Sequence, residues 1–358
     1  MDSNGKQVEQ SATWTEAVSQ GAVWQSVIRE LEQSATLKKI LAASANADSW
    51  LFVGCGTSFY LADSAATSFT LLTGKPARAV PASEVLLYPE LIRVEGKDLQ
   101  VVVISRSGRT SEAVRAAAVL KRDLQLPTVG ITCSRNTALE AECDLTLVLR
   151  SADEQSTVMT RSFTSMLLSL QYLAARHGDN HSFIQSLPTM VQQFAPQIPS
   201  LSSRMESFVA THSFADYIFL GQGPFHGIAR EAALKVMEMS CSYSQAFHTL
   251  EFRHGPKAIV SSQTCLMFFL SETAKQAEVE VLEEMKDLGG ITIAVCNKVD
   301  SKVRQSSDLV IETNLPGNEL ALLAPFTLPG QLLGFFTGIA KGLNPDQPKN
   351  LTRVVILE

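Results

Sequence analysis

The sequence has no C-x-x-C pair and no histidine at metal-ligand spacing from a cysteine, which excludes a zinc knuckle or a thioredoxin-type redox couple. Its six cysteines, Cys55, Cys133, Cys143, Cys241, Cys265 and Cys296, are mostly embedded in apolar stretches and read as buried reduced thiols. No metal and no cofactor are expected. Excess positive charge is absent too: a net charge of −6 gives no basic footprint, so neither nucleic acid nor an anionic membrane is an expected partner. The N-terminus, MDSNGKQVEQ, lacks the basic start and apolar run of a secretory signal, and the expected location is cytoplasmic. With 45% hydrophobic and 18% charged residues, 20 glycines and 14 prolines, the composition excludes disordered, collagenous and coiled-coil readings. One run, Leu320 to Ala340, is apolar enough to suggest a membrane span. It contains Pro325, Pro329, Gly330, Gln331, Gly334 and Gly338, has no second run beside it, and reads as a buried core helix.

What is present is a repeat. A length of 358 residues suits two domains of roughly 100–200 residues each. Leu51-Phe-Val-Gly-Cys-Gly56 recurs as Ile218-Phe-Leu-Gly-Gln-Gly223, and Val101-Val-Val-Ile-Ser105 as Met267-Phe-Phe-Leu-Ser271. Thr128 to Cys133 answers to Thr292 to Asn297, Asp144 to Leu149 answers to Asp308 to Thr313, and Phe163-Thr164 is echoed by Phe326-Thr327. Each copy alternates short β-rich apolar runs with helical segments, the pattern of a parallel sheet covered on both faces. The expected fold is α/β with two doubly wound domains, preceded by helices near Thr13 to Ser44 and Ser182 to Thr211. The expected boundaries are a helical segment at 1–45, a first domain at 46–195, a second at 196–343 and a tail at 344–358. In such sheets ligands sit beyond the carboxyl ends of the strands.

Two turns there are rich in small residues and hydroxyls: Gly54-Cys-Gly-Thr-Ser58, and Ser105-Arg-Ser-Gly-Arg-Thr110 leading into a helix. Helix N-terminal amides together with Ser58, Ser105, Ser107 and Thr110 would make a cradle of neutral donors for a phosphate; the plainer reading is that these residues only cap helices. Neither turn is a Walker sequence or the full dinucleotide fingerprint. The matching loops of the second copy, Gly221-Gln-Gly-Pro-Phe and Ser271-Glu-Thr-Ala, have fewer hydroxyls and an extra carboxylate, so anion binding is expected in the first copy alone.

Glu231, Lys235 and Glu238 fall on one face of a helix over Ile228 to Ser240, and His254 follows in a turn enforced by Gly255-Pro256. Together they could supply a base, a cation and an acid for proton transfer beside a carbonyl. On spacing alone, an exposed face with ordinary salt bridges is the better reading.

The strings Cys-Gly-Thr-Ser at 55–58, Ser-Arg-Ser-Gly-Arg-Thr at 105–110, Ala229 to Glu238, Phe252-Arg-His-Gly-Pro256 and Asn344-Pro-Asp-Gln-Pro348 resemble the tandem sugar-isomerase (SIS) domain family, whose sheets are flavodoxin-like. The likeness is to the isomerase half of glucosamine-6-phosphate synthase and to the stand-alone branch of amino-sugar-phosphate deaminase/isomerases that includes the AgaS-type proteins. It implies that Ser58, Ser105, Arg106, Ser107 and Thr110 hold the sugar phosphate, with Cys55, Gly56, Thr57 and Arg353 also at the substrate. By the same resemblance Glu238 is the base between C1 and C2, His254 opens the ring from the partner subunit, and Glu231 and Lys235 support the helix face. A homodimer with composite sites, closed by the C-terminal tail, is implied as well.

Two departures bear on the chemistry: Arg106 stands where the synthase pattern has Gln, and Arg353 where it has a lysine. A guanidinium stays protonated and cannot form an imine with a ketose. A substrate already carrying nitrogen at C2 needs no such imine, because proton transfer gives a ketimine that water hydrolyses. The chain begins Met1-Asp2, without the cysteine nucleophile of a glutamine amidotransferase, so nitrogen delivery from glutamine is not expected. The expected activity is therefore conversion of a glucosamine or galactosamine 6-phosphate to ketose 6-phosphate and ammonia. Plain aldose-ketose isomerisation, deglycation of a phosphorylated sugar-amine adduct, and a non-catalytic sugar-phosphate sensor are the alternatives.

Overall fold

The computed structural model describes residues 8, 10–92 and 98–357; Met1, Asp2 and Glu358, which the sequence reading touches, lie outside them. Two units share the chain. One holds Ala22–Glu154, Arg161–Pro188 and the C-terminal segment from Thr352; the other holds Gln155–Thr160, Thr189–Leu351 and the N-terminal stretch up to Gly21.

In the first unit β1 (Ser49–Gly54), β2 (Ala77–Pro81), β3 (Leu99–Ile104), β4 (Thr128–Thr132) and β5 (Leu145–Val148) form a parallel sheet in the order β2-β1-β3-β4-β5. Every residue of β1, β3 and β4 is buried, as continuous apolar runs in a two-faced sheet require. Leu51, Val53, Val101 and Val103 pack on Ala116, Leu120 and Leu139, each large side chain contributing about 1.5–3 kcal/mol by burial.

The second unit repeats the plan with β6 (Asp216–Gly221), β7 (Ser244–Phe247), β8 (Thr264–Phe269), β9 (Ile291–Cys296) and β10 (Leu309–Glu312), ordered β7-β6-β8-β9-β10 and parallel throughout. Both sheets have the flavodoxin-like order, which reverses direction between β1 and β3 and between β6 and β8. The expected doubly wound fold and its duplication are thus both present.

The G-x-G turns obey the same constraint in both copies. A Cβ on Gly54 would sit 2.4 Å from the Ser58 carbonyl, and one on Gly221 2.4 Å from the Phe225 carbonyl. Gly56 and Gly223 adopt φ of 52° and 54°, the region where only glycine is unstrained.

The apolar run is the helix Leu323–Ala340, buried from Leu323 through Ile339 in the core of the second unit. Gly330, Gly334 and Gly338 face the helix Phe225–Ser240, where added Cβ atoms would lie 2.4 Å from Ala232 Cβ, 2.7 Å from the Lys235 carbonyl and 2.3 Å from the Met239 carbonyl. Small residues at every fourth position therefore bring the two backbones into contact and seat the helix that carries Lys235. Asp346, from the Asn-Pro-Asp-Gln-Pro string, caps the helix Ala12–Val18 by accepting from Ser11 Oγ at 2.8 Å and the amides of Ala12 and Thr13 at 3.0 and 2.8 Å.

Candidate active site

Within the first unit, the two hydroxyl-rich turns leave the carboxyl ends of neighbouring parallel strands, since Val53 pairs with Val103. Thr57 and Ser58, both buried, open the helix Thr57–Thr73 directly after Cys55 and Gly56. Ser105 follows β3 and is 3% exposed, yet its Oγ has no hydrogen-bond partner among the described residues. A buried hydroxyl is normally paired, so this one is set up for an acceptor from outside the chain. Ser107 Oγ accepts the Arg109 amide at 3.2 Å, and Thr110 stands at the N-cap of the helix Ser111–Ala118 without a side-chain cap bond. Gly108 allows the loop to close on Thr137, whose side chain would be 2.5 Å from an added Cβ. Burial, with the Glu112 charge second, pushes the Cys55 thiol up to about 11, so it stays neutral and serves as packing rather than as a nucleophile.

The two arginines are engaged with protein groups. Arg106 Nη1 pairs with Glu154 Oε1 at 3.0 Å, and Nη2 donates to the Arg353 carbonyl at 3.1 Å. Arg353 returns its guanidinium to Asp153 Oδ1 at 3.2 Å and to the Glu154 carbonyl. These bonds close a loop of three residues that holds the C-terminal segment, which continues along the helix Ser111–Ala118: the Ser111 amide donates to the Val355 carbonyl at 3.1 Å and the Leu357 amide to Ser111 Oγ at 2.9 Å. Arg106 and Arg353, both expected at the substrate from sequence, also brace the loop and the tail. Glu154 was not singled out from sequence; the signal available was a carboxylate pair, Asp153-Glu154, just beyond a strand end.

In the second unit, Glu231 and Lys235 are both fully buried and 18% of the Glu238 side chain is exposed. Lys235 Nζ lies 3.3 Å from Glu231 Oε1 and is also hydrogen-bonded to Glu238 Oε2. Burial alone would pull the Lys235 ammonium down, but the Glu231 and Glu238 carboxylates outweigh it and hold the group above its ordinary range. The solvent-exposed salt-bridged face that spacing allowed is therefore excluded. A buried array of this kind carries a desolvation penalty of several kcal/mol per ion that pairing only offsets, so it is a poor device for stability alone. What it provides chemically is a fixed carboxylate, Glu238, steadied by a buried cation and open on one side.

His254 ends the turn Glu251–Arg253, with its amide on the Glu251 carbonyl at 3.0 Å and its ring exposed. The turn is rigidly mounted: Phe252 is fully buried, and Arg253 and Lys257 both bind Glu284 on the helix Lys275–Asp287. Lys257 first, then Arg253, hold the Glu284 carboxyl below its usual range.

Comparison with known proteins agrees with this fold. The SIS domain model matches residues 45–176 and again 216–333. Glutamine–fructose-6-phosphate aminotransferase (isomerizing) from Pectobacterium atrosepticum is 28% identical over 320 residues, covering 86% of this chain and 51% of that protein. The chain thus spans about half the length of the curated relatives it matches. Among solved structures, glucosamine-6-phosphate deaminase from Thermotoga maritima is 28% identical with a TM-score of 0.77, over 97% of this chain and 100% of that one. Tagatose-6-phosphate ketose/aldose isomerase from Escherichia coli shares the fold with a TM-score of 0.83 at 23% identity, over 98% of this chain and 97% of that one. With two matched segments over most of its length, each containing one of the two parallel sheets, the chain belongs to the SIS domain family as a tandem member.

Proposed function

We propose that the chain is a phosphosugar isomerase that deaminates an amino-sugar 6-phosphate, giving ketose 6-phosphate and ammonia. The observation that carries this reading is the buried Glu231-Lys235-Glu238 array, because a sensor needs a phosphate cradle but not a carboxylate poised beside a buried ammonium. Phosphate binding is assigned to Ser58, Ser105, Ser107 and Thr110 with the amides of Gly56 and Thr57. His254 is assigned to ring opening; its exposed ring on a rigid turn suits a site shared with a second copy of the chain in a homodimer.

Glu238 takes the proton from C2 of the open-chain substrate and returns it at C1. The C1 aldehyde becomes a CH2OH group, and the C2 amine becomes a ketimine. Water adds to that carbon and ammonia leaves, so one substrate and one water give one ketose and one ammonia. No lysine imine is needed, which agrees with Arg353 at the tail position. The deaminase name of the Thermotoga maritima relative supports the same choice.

The test is a panel of hexose and hexosamine 6-phosphates assayed for ammonia and ketose together. Ammonia released in step with ketose from an amino-sugar phosphate is the expected result. Brisk interconversion of plain aldose and ketose phosphates without ammonia would replace deamination by isomerisation, and no turnover with tight phosphosugar binding would leave a sensor.

A further inference from the structure

The duplicated fold places an equivalent of the first-copy cradle after β8, and this loop is already filled. Ser271 follows β8 as Ser105 follows β3, and each is followed seven residues later by a glutamate, Glu278 and Glu112. In the first copy the Ser105 hydroxyl has no partner among the described residues. In the second, Glu278 Oε2 accepts both the Ser271 amide at 2.7 Å and the Ser271 hydroxyl at 2.9 Å. Glu319 completes the substitution, accepting the amides of Glu272 and Thr273 at 2.8 and 3.1 Å and the Thr273 hydroxyl. Backbone amides and hydroxyls at the start of a 13-residue helix, Lys275–Asp287, are the donor set that suits a phosphate.

One of these occupants, Glu278, is poorly accommodated. Glu278 is fully buried, and its Oε1 has no partner among the described residues. Burial, with the nearby Glu319 charge adding to it against the Ser271 hydrogen bonds, pushes the Glu278 carboxyl up to about 7. Beside the loop lies a cavity of about 410 Å³ lined by Glu272, Thr273, Asn297, Lys298 and Glu319, so there is room for an anion and a cation to meet it.

We propose that the loop after β8 is an oxyanion cradle kept occupied by the chain's own carboxylates, and that it admits a phosphate group once Glu278 and Glu319 are removed. Occupation by carboxylates makes the second copy non-binding without dismantling its donors, and leaves the tandem chain one phosphate site per subunit. The occupation of this loop does not depend on what the first-copy cradle binds.

The experiment is equilibrium dialysis of the full-length chain against inorganic phosphate, with chloride at equal ionic strength as the control. The variant Glu278→Ala/Glu319→Ala should bind one more phosphate per chain than the native protein, and phosphate should raise its melting temperature by at least about 2 °C more than it raises that of the native chain. Adding Ser271→Ala should abolish the extra equivalent. If the alanine pair does not fold, Glu278→Ser/Glu319→Ser, whose polar side chains are too short to reach the loop donors, decides by the same readouts. A folded variant with no additional equivalent, or an additional one that survives Ser271→Ala, overturns the proposal. A native chain that binds no phosphate would count against the first-copy cradle and leaves the gain in the variant to be judged by itself.

Discussion

Arg106 and Glu154 form an ion pair at 3.0 Å with their side chains 4% and 0% exposed, 48 residues apart in sequence. Glu154 also accepts from the Ser162 hydroxyl and, at 3.3 Å, from the Ser162 amide, so this one carboxylate ties the β3 loop to the start of the helix Arg161–His177. The pair is the core of the brace that ends at Arg353.

Replacing Glu154 by Ala leaves a buried guanidinium without its carboxylate. Stability should fall by about 3–5 kcal/mol, the usual result of removing one partner of a buried pair, measured by denaturant unfolding. The Ser111 and Leu357 amides, held by the tail contacts, should exchange with solvent faster. Unchanged protection at both amides would show that the tail is held without the brace.

Glu238→Gln keeps the shape of the side chain and an acceptor for Lys235 while removing the base. The rate constant for turnover should fall by about 10²–10⁴-fold, with a melting temperature close to native. Mixed with His254→Ala subunits, which should also be inactive, the variant should regain activity in hybrids, because the proposed dimer with shared sites then keeps both residues intact in one of its two sites. Heterodimers that form and stay inactive would assign His254 to its own subunit.

Gly334→Val would place a branched side chain where a single Cβ already falls 2.7 Å from the Lys235 carbonyl. Overpacking of this kind costs about 1–3 kcal/mol or more, and the helix Phe225–Ser240 has to move to relieve it. Turnover should drop together with thermal stability, whereas Gly74→Val, at a C-cap with nothing within 4 Å, should lose stability from its φ of 71° and keep turnover.

The central strands and the two donor-rich loops were legible in the sequence because each signal is local. A strand buried on both faces is a continuous apolar run, as in Leu51 to Val53 or Leu266 to Phe269, and in the first copy a turn rich in glycine and hydroxyls directly follows β1 and β3. The edge strands β2 and β7 went unread: Ala77–Pro81 is nowhere buried and Ser244–Phe247 only at Ser244, so neither has the apolar pattern. Spacing put Glu231, Lys235 and Glu238 on one face but could not say that the face is internal. That depends on the helix Leu323–Ala340, nearly a hundred residues away, whose glycines at 330, 334 and 338 argue in the sequence only against a membrane span and become a packing stripe once the helix Phe225–Ser240 lies against them. The engagement of Arg106 by Glu154 was hidden for the same reason, since the partner comes from the far end of the sheet.

Glu278 gives the chain a pH dependence of defined sign. Its carboxyl is raised from an ordinary 4.5 to about 7 in the folded protein, burial being the chief cause. Between those values the folded state holds a proton that the unfolded state has released. The associated stability is therefore fully present below about pH 4.5 and is lost as pH rises through 7. A shift of this size corresponds to at most about 3 kcal/mol. Glu278→Gln is neutral at every pH and keeps an acceptor for Ser271, so it should remove this part of the slope. Unfolding free energies of the two proteins, measured at pH 5 and pH 8, should differ by about 1–3 kcal/mol more in favour of the variant at pH 8 than at pH 5. An equal difference at both pH values would mean that Glu278 titrates alike in the folded and unfolded chains, and the same carboxylate could then be held in the β8 loop without electrostatic penalty.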